Sequence, residues 1–223
     1  MSDLSNWSPR PWPGSEPIEG RTVTVEPIVD ERRFGELYEA FSRDEPEMWR
    51  WLAYGPFESE AQFRDFAART YLAGDQMFHA VIPHDTGHAA GVASLMRIDR
   101  ANGVVEIGNI ALSRGLRGSR ASTEMQYLMM GRVFDELGYR RYEWKCNDRN
   151  EPSKRTARRL GFRYEGLFRQ HMIVKGENRD TAWFSVLDAE WPALKAAFEA
   201  WLDPSNFDAD GRQKRPLETF REG

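Results

Sequence analysis

The segment with the clearest chemical potential is a short basic loop between a predicted strand and a predicted helix. Residues 113–118 are small or basic except for Leu116, and arginines stand at positions 114, 117 and 120. Backbone amides at a helix start lack intrahelical partners and carry the positive end of the helix dipole, so this turn could hold a diphosphate. The same pattern also fits a solvated connector. The loop is neither a Walker A loop, since no Gly-Lys-Ser/Thr follows, nor a dinucleotide fingerprint.

A second segment begins with Asp-Arg-Asn-Glu-Pro-Ser at 148–153 and continues, six residues later, with Leu-Gly-Phe-Arg-Tyr-Glu-Gly at 160–166. Asn150 is a favourable N-cap, and Pro152 suits the first turn of a helix. Gly161 permits the left-handed conformation that ends one. Helix capping alone would explain these residues, so the segment gains meaning mainly from the loop upstream.

Together the two segments resemble the GNAT acetyltransferases, in particular the RimJ/RimL type. The first is similar to the family's pyrophosphate loop, Arg/Gln-x-x-Gly-x-Gly/Ala, with Arg117 at its start and Ser122 at its end. The second is similar to Asn-x-x-Ser…Gly-Phe-x-x-Glu-Gly. Arg120 departs from the usual glycine, so its side chain must point away from the loop backbone or reach over to a phosphate. The resemblance covers roughly residues 20–190.

The resemblance implies acetyl-CoA as the co-substrate and requires no metal. We expect the cofactor to be bound by residues of both segments and by the end of the preceding strand. These residues are Leu112, Arg117, Gly118, Ser119, Arg120, Ala121, Ser122, Asn150 and Ser153.

The family's chemistry is direct attack of an amine on the thioester, which needs a base for the amine and a proton donor for the thiolate. Ser153 matches the family's donor position. Glu106, on the strand before the loop, is either a base acting through water or a strand-surface carboxylate. His171 is a second candidate base, although a lone histidine is more often packed or simply exposed. Cys146 has no motif-paired base and is not expected to be a nucleophile.

The resemblance places acceptor binding near the loop between the first two helices and the late strands. Trp49, Trp51, Asn109 and His171 are the candidate substrate-binding residues, although the tryptophans also fit a core. The acceptor would be a peptide or protein N-terminus, as in RimJ/RimL, or a small amine or amino acid. The alternative function is a non-catalytic acyl-CoA-binding or sensing protein with the same fold. Another nucleotide or acyl donor is a further option.

The elements that must position these residues alternate between strand and helix patterns. They predict an α/β chain with the GNAT fold: a central mixed, mostly antiparallel sheet of about seven strands with helices on both faces. An irregular arm over 1–20 precedes a domain over 21–190, and a helix with a charged, loosely held tail occupies 191–223. Predicted strands are 21–28, 77–83, 89–98, 104–112, 142–146, 162–174 and 181–187; predicted helices begin at Asp30, Ser59, the 113–118 loop, Pro152 and Trp191.

Composition narrows the remaining function classes. The formal net charge of −4 over 223 residues gives no electrostatic reason to expect nucleic-acid binding. A single cysteine predicts a reducing, cytoplasmic setting, and no apolar run approaches the roughly 18 residues of a membrane span. The oligomeric state stays open, with a homodimer as one option.

Overall fold

An eight-stranded sheet forms the centre of the molecule in a computed structural model, which describes residues 4–43 and 46–221. Its order is β1-β2-β3-β4-β5-β6-β8-β7, and among the strands of these described residues only β5 and β6 run parallel to each other. The predicted mixed, mostly antiparallel sheet is confirmed, with one strand more than the seven expected. The strands are β1 Ile18–Glu19, β2 Val23–Pro27, β3 Met77–Pro83, β4 Gly91–Asp99, β5 Val104–Leu112, β6 Arg141–Asn147, β7 Arg163–Val174 and β8 Glu177–Leu187.

Helices cover both faces of this sheet, as predicted. Those after β2 pack on one face, which we call the α1 face, and the later three pack on the other, the α3 face. None of the helices within 4–43 and 46–221 is long and apolar enough to cross a membrane. The helices are α1 Phe34–Ser42, α2 Glu60–Tyr71, α3 Arg120–Gly131, α4 Glu151–Arg159 and α5 Trp191–Leu202; a π-helical turn, Arg132–Glu136, continues α3.

Side-chain caps begin α2, α3 and α4, whereas α1 and α5 begin without one. The Ser59 hydroxyl accepts a hydrogen bond from the Gln62 amide at 3.2 Å, as its predicted capping role requires. Asp30 does not cap α1, because its carboxylate accepts from the Arg32 amide in the turn before the helix. The helix instead begins at Phe34 with no side-chain cap.

A bulge in β5 decides which of its side chains face the two helical layers. Val92 pairs with Ala111, and Ser94 pairs with Gly108, so β5 has one more residue than β4 between these pairs. The backbone of Asn109 lies in the left-handed region, with φ of 50°. An extra residue reverses the alternation of side chains beyond it.

Because of the bulge, even-numbered residues of β5 face one side of the sheet before it and the other side after it. Before it, Ile107 packs in the α3-face core, so Glu106 points to the α1 face. After it, Ile110 and Leu112 pack against the α3-face core, and Ala111 joins the α1-face core.

Both ends of the chain pack against this framework. In the N-terminal arm, the Trp7 indole donates to the Ala101 carbonyl at 2.7 Å, at the β4–β5 turn. The expectation of a loosely held C-terminal tail is wrong for the described residues up to 221. Leu217 is 1% exposed, and the buried Asn206 amide donates to the Trp201 carbonyl at 3.0 Å, which fixes the tail to the end of α5.

Candidate active site

A cavity of about 730 Å³ opens on the α3 face, where the two parallel strands separate. The last β5–β6 pair is Ile107 with Trp144, although the strands continue to Leu112 and Asn147. Trp144 of that pair lines the cavity, together with Ile110 and Leu112 beyond it. The gap between the strands is thus the inner end of the cavity.

The basic loop forms one wall of this cavity. Gly118 has φ of 71°, a conformation that strains any residue with a β-carbon. Ser119 then caps α3, because its hydroxyl accepts from the Ser122 amide at 3.1 Å. The Arg120 guanidinium points away from the loop backbone: it donates to the Leu202 carbonyl and lies 4.1 Å from the Phe207 ring centroid. Of the two orientations expected for Arg120, the structure has the first.

The second segment forms the facing wall. The Asn150 side chain caps α4 by accepting from the Ser153 amide at 3.1 Å, as predicted. The Ser153 hydroxyl accepts from the Trp144 indole at 3.0 Å, so its own proton is left for another acceptor. Burial raises the pKa of the neighbouring Cys146 thiol, although the Ser153 hydroxyl acts in the opposite direction. A buried, protonated thiol is a poor nucleophile.

The fold brings the two predicted segments together around one space. Of the residues expected to bind the cofactor, all but Ala121 line the cavity; Ala121 is 9% exposed and packs in the core beneath it. The lining residues from that prediction are Leu112, Arg117, Gly118, Ser119, Arg120, Ser122, Asn150 and Ser153.

Sequence reasoning missed several lining residues. Gln126 is 4% exposed, and its side-chain oxygen has no hydrogen-bond partner among the described atoms. It lies four residues after Ser122, on the same helix face, so helical spacing could have identified it. The remaining lining residues come from α4 and from the C-terminal segment, which no local signal connects to the loop. They include Thr156, Arg159, Trp201, Phe207, Gly211, Arg212 and Gln213.

Glu106 lies on the opposite, α1 face, within a buried ion cluster. Its Oε2 atom is 2.7 Å from Arg97 Nη1 and 2.8 Å from Lys145 Nζ. Lys145 Nζ is also 2.7 Å from Glu143 Oε2 and 3.8 Å from the ring centroid of Trp183. We call Glu106, Lys145 and Glu143 the charge cluster. Buried charges of this kind are tolerated because each has an opposite partner.

His171 borders the charge cluster through aromatic rings. Its Nδ1 atom is 3.0 Å from Thr181 Oγ1, and its ring centroid is 5.9 Å from that of Trp183. Trp183 pairs directly with Lys145 across β8 and β6, so their side chains share the α1 face. The two candidate bases therefore lie on the same side of the sheet, opposite the cavity.

The three other candidate substrate residues have separate surroundings, and none lines the cavity. Trp49 is 4% exposed and packs in the α1-face core, so its ring is a core contact. Trp51 is half-buried, and its ring lies 4.8 Å from the Arg50 guanidinium carbon. The Asn109 amide is held at the β5 bulge by the Gln76 side chain, at 2.9 Å.

Metal-binding side chains do not cluster in the part of the chain that is described. No three His, Cys, Asp or Glu residues there come close enough together to hold a metal ion.

The comparison with known families agrees with this geometry. The family described as acetyltransferase (GNAT) domain matches residues 23–163, which is more than half of the chain. The chain is a GNAT acetyltransferase. Acetyl-CoA is the co-substrate that this family implies, and the glycine turn at the start of α3 and the unpartnered Gln126 oxygen suit a long polar ligand of that kind.

Relatives of known structure and sequence extend the comparison. A GCN5-related N-acetyltransferase from Brucella melitensis is 51% identical, with a TM-score of 0.96 over 99% of this chain and 100% of that one. YdaF of Bacillus subtilis, whose name proposes a ribosomal N-acetyltransferase, is 26% identical over 71% of this chain and 88% of its own. The ribosomal L7/L12 α-N-protein acetyltransferase RimL is 21% identical, with a TM-score of 0.67 over 77% and 94% of the two chains, and shares the fold.

Proposed function

We propose that this acetyltransferase moves the acetyl group of acetyl-CoA to a primary amine by direct attack. The amine belongs to a peptide or protein N-terminus, or to a small amine or amino acid. The observation that carries the proposal is the convergence of both motif segments on one cavity, whose inner end is the gap between β5 and β6. The two candidate bases, Glu106 and His171, lie on the α1 face, on the far side of that gap. The name of YdaF supports the peptide option.

In the proposed reaction, the amine nitrogen attacks the thioester carbon and the carbon–sulfur bond then breaks. The Ser153 hydroxyl gives its proton to the departing thiolate, since the Trp144 indole already occupies its oxygen. Ser153 lies in the first turn of α4, where the helix dipole favours negative charge on sulfur. Because a thiolate is a fair leaving group, we expect Ser153→Ala to lower kcat only about ten-fold, with an unchanged KM for acetyl-CoA. Full activity of this variant would refute the donor role.

The proton of the attacking ammonium goes to a base on the α1 face. We favour His171 over Glu106, because the Glu106 carboxylate is paired with both Arg97 and Lys145, whereas the His171 imidazole is exposed. Rate profiles against pH for His171→Gln and Glu106→Gln should separate the two. The acidic limb of kcat/KM should disappear in His171→Gln and persist in Glu106→Gln. Persistence in both variants would mean that neither residue is the base.

The alternative, a protein that binds acyl-CoA without catalysis, makes different predictions in solution. Acetyl-CoA at about one hundred times its Kd should stabilise the fold by about 2.7 kcal/mol, and ATP or NAD should stabilise it far less. Equal or absent thermal shifts for all three would overturn the cofactor assignment. Thiol release with a panel of N-terminal peptides and small amines then distinguishes an enzyme from a sensor and selects the acceptor class.

A further inference from the structure

The outer part of the cavity is built by a turn near the C-terminus. Residues 206–213, which we call the C-terminal turn, close through a bridge between Phe207 and Gln213. The Gln213 side-chain oxygen accepts from the Trp201 indole at 2.9 Å, which ties the turn to α5. Phe207, Arg212 and Gln213 all line the cavity. The turn lies beyond residue 163, where the family match ends.

Arg120 joins this turn to the loop. At the position where the family pattern has glycine, Arg120 contacts both the Leu202 carbonyl and the face of Phe207. A guanidinium over an aromatic ring stabilises the contact further. The departure from the family's loop pattern thus coincides with a wall that the family match does not include.

Arg159 supplies a positive charge beside this wall. It lines the cavity, donates to the Thr123 hydroxyl at 3.0 Å and stacks near the Trp201 ring. Burial lowers the pKa of its guanidinium, the Glu218 carboxylate acts in the opposite direction, and Arg221 adds a further lowering effect. A partly desolvated cation is costly, and an anionic ligand would offset that cost.

We propose that the C-terminal turn and Arg159 form the subsite for the 3′-phosphorylated adenosine of coenzyme A. This inference rests on the proposed function, which places the diphosphate on the loop. Coenzyme A carries a further phosphate monoester on its ribose, and the cavity offers it Arg159 and the exposed Arg212, which also pairs with Asp210 at 3.4 Å. Phe207 provides an apolar surface beside the purine. The inner cavity is left to the pantetheine arm, between Ile110 and Trp144.

The test is calorimetric titration with coenzyme A and with 3′-dephospho-coenzyme A. The unmodified protein should bind coenzyme A at least about ten-fold more tightly, the usual scale for losing one charged hydrogen bond. Arg159→Gln and Arg212→Gln should each reduce this preference several-fold, without weakening dephospho-coenzyme A. Arg155→Gln, on the same helix but exposed and away from the cavity, is the matched control and should keep the full preference.

Binding rather than turnover is measured so that the two proposals can fail separately. Equal affinity for both ligands, with thiol release intact, would overturn the subsite and leave the acetyltransferase proposal standing. No binding of either ligand would overturn both. Phe207→Ala is a second test that does not depend on the arginine variants folding. It should lower the affinity for both ligands by a similar factor. Unchanged affinities in a folded Phe207→Ala protein would show that the turn is not part of the site.

Discussion

The two faces of the sheet are organised on different principles. The α3 face holds the cavity, and two contiguous segments, 117–122 and 150–153, supply half of the polar residues that line it. The α1 face holds the charge cluster, whose members come from β5 and β6 and whose outer partner, Arg97, comes from β4. The first arrangement depends on local helix starts, and the second depends on strand pairing. This difference explains why the cofactor can be inferred from sequence more readily than the acceptor.

The largest expected effect comes from removing the shared cation of the α1 face. Lys145→Met leaves Glu106 and Glu143 without their common partner, although Arg97 and Arg141 still pair with them, so we expect a loss of about 3 kcal/mol in the free energy of unfolding, the low end for a broken buried ion pair. Denaturant titration measures it. Lys195→Met is the control: Lys195 pairs with Asp135 at the surface and should cost under about 1 kcal/mol.

The affinity of Lys145→Met for coenzyme A tests whether the two faces of the sheet act independently. Because the cavity lies on the other face, folded Lys145→Met protein should retain its affinity for the cofactor. A variant within about 1 kcal/mol of the unmodified protein would show that the charge cluster contributes little.

The α3 face buries a neutral imidazole, whose contribution to stability should depend on pH. His79 is 1% exposed, and burial, with a smaller effect from Arg132, lowers its pKa to about 4. The unfolded chain takes up a proton near pH 6.5 and the folded chain does not, so stability falls as the pH drops from about 6.5 towards 4. We expect a contribution of about 1 kcal/mol per pH unit from this group.

Replacing the imidazole tests this origin. In unfolding titrations between pH 6.5 and 5, His79→Gln should lose less stability on acidification than the unmodified protein. The exposed His88 serves as the control, and His88→Gln should leave the slope unchanged. A slope that is the same in all three proteins would assign the acid sensitivity to other groups.

Substitutions of Ser119 should have a smaller effect, on the KM for acetyl-CoA, and should separate the charge of the loop from its backbone shape. Asp and Asn both replace serine well as N-caps, so Ser119→Asp and Ser119→Asn should both keep the start of α3. The acid repels a diphosphate, and we expect its KM for acetyl-CoA to exceed that of the amide by about ten-fold. The same acid favours the helix dipole, so the unfolding free energy should not fall below that of Ser119→Asn. Equal KM values would place the diphosphate elsewhere.

Local chemistry explains how much of the fold was predictable. Strands 77–83 and 104–112 and the helix beginning at Trp191 have the bounds that their patterns predict. Asn150 caps its helix, and Gly161, with φ of 96°, ends it as expected. Each of these features depends on residues within one or two turns of each other.

Features that depend on distant partners were not predictable. The two residues of β1 form a strand only because Ile18 pairs with Val25. From the sequence, Glu106 could equally be a base or a surface carboxylate. In the fold it lies against Arg97 and Lys145, which are distant or on another strand. In the sequence the C-terminal turn looks like a charged tail, because its contact with Arg120 joins distant parts of the chain.

The most direct test of the site is a crystal structure of the protein with coenzyme A. We predict diphosphate oxygens within hydrogen-bond distance of backbone amides between Arg117 and Ser122, with the pantetheine arm running towards the gap between β5 and β6. A complex in which arginine side chains fill that turn and the diphosphate lies elsewhere would contradict it.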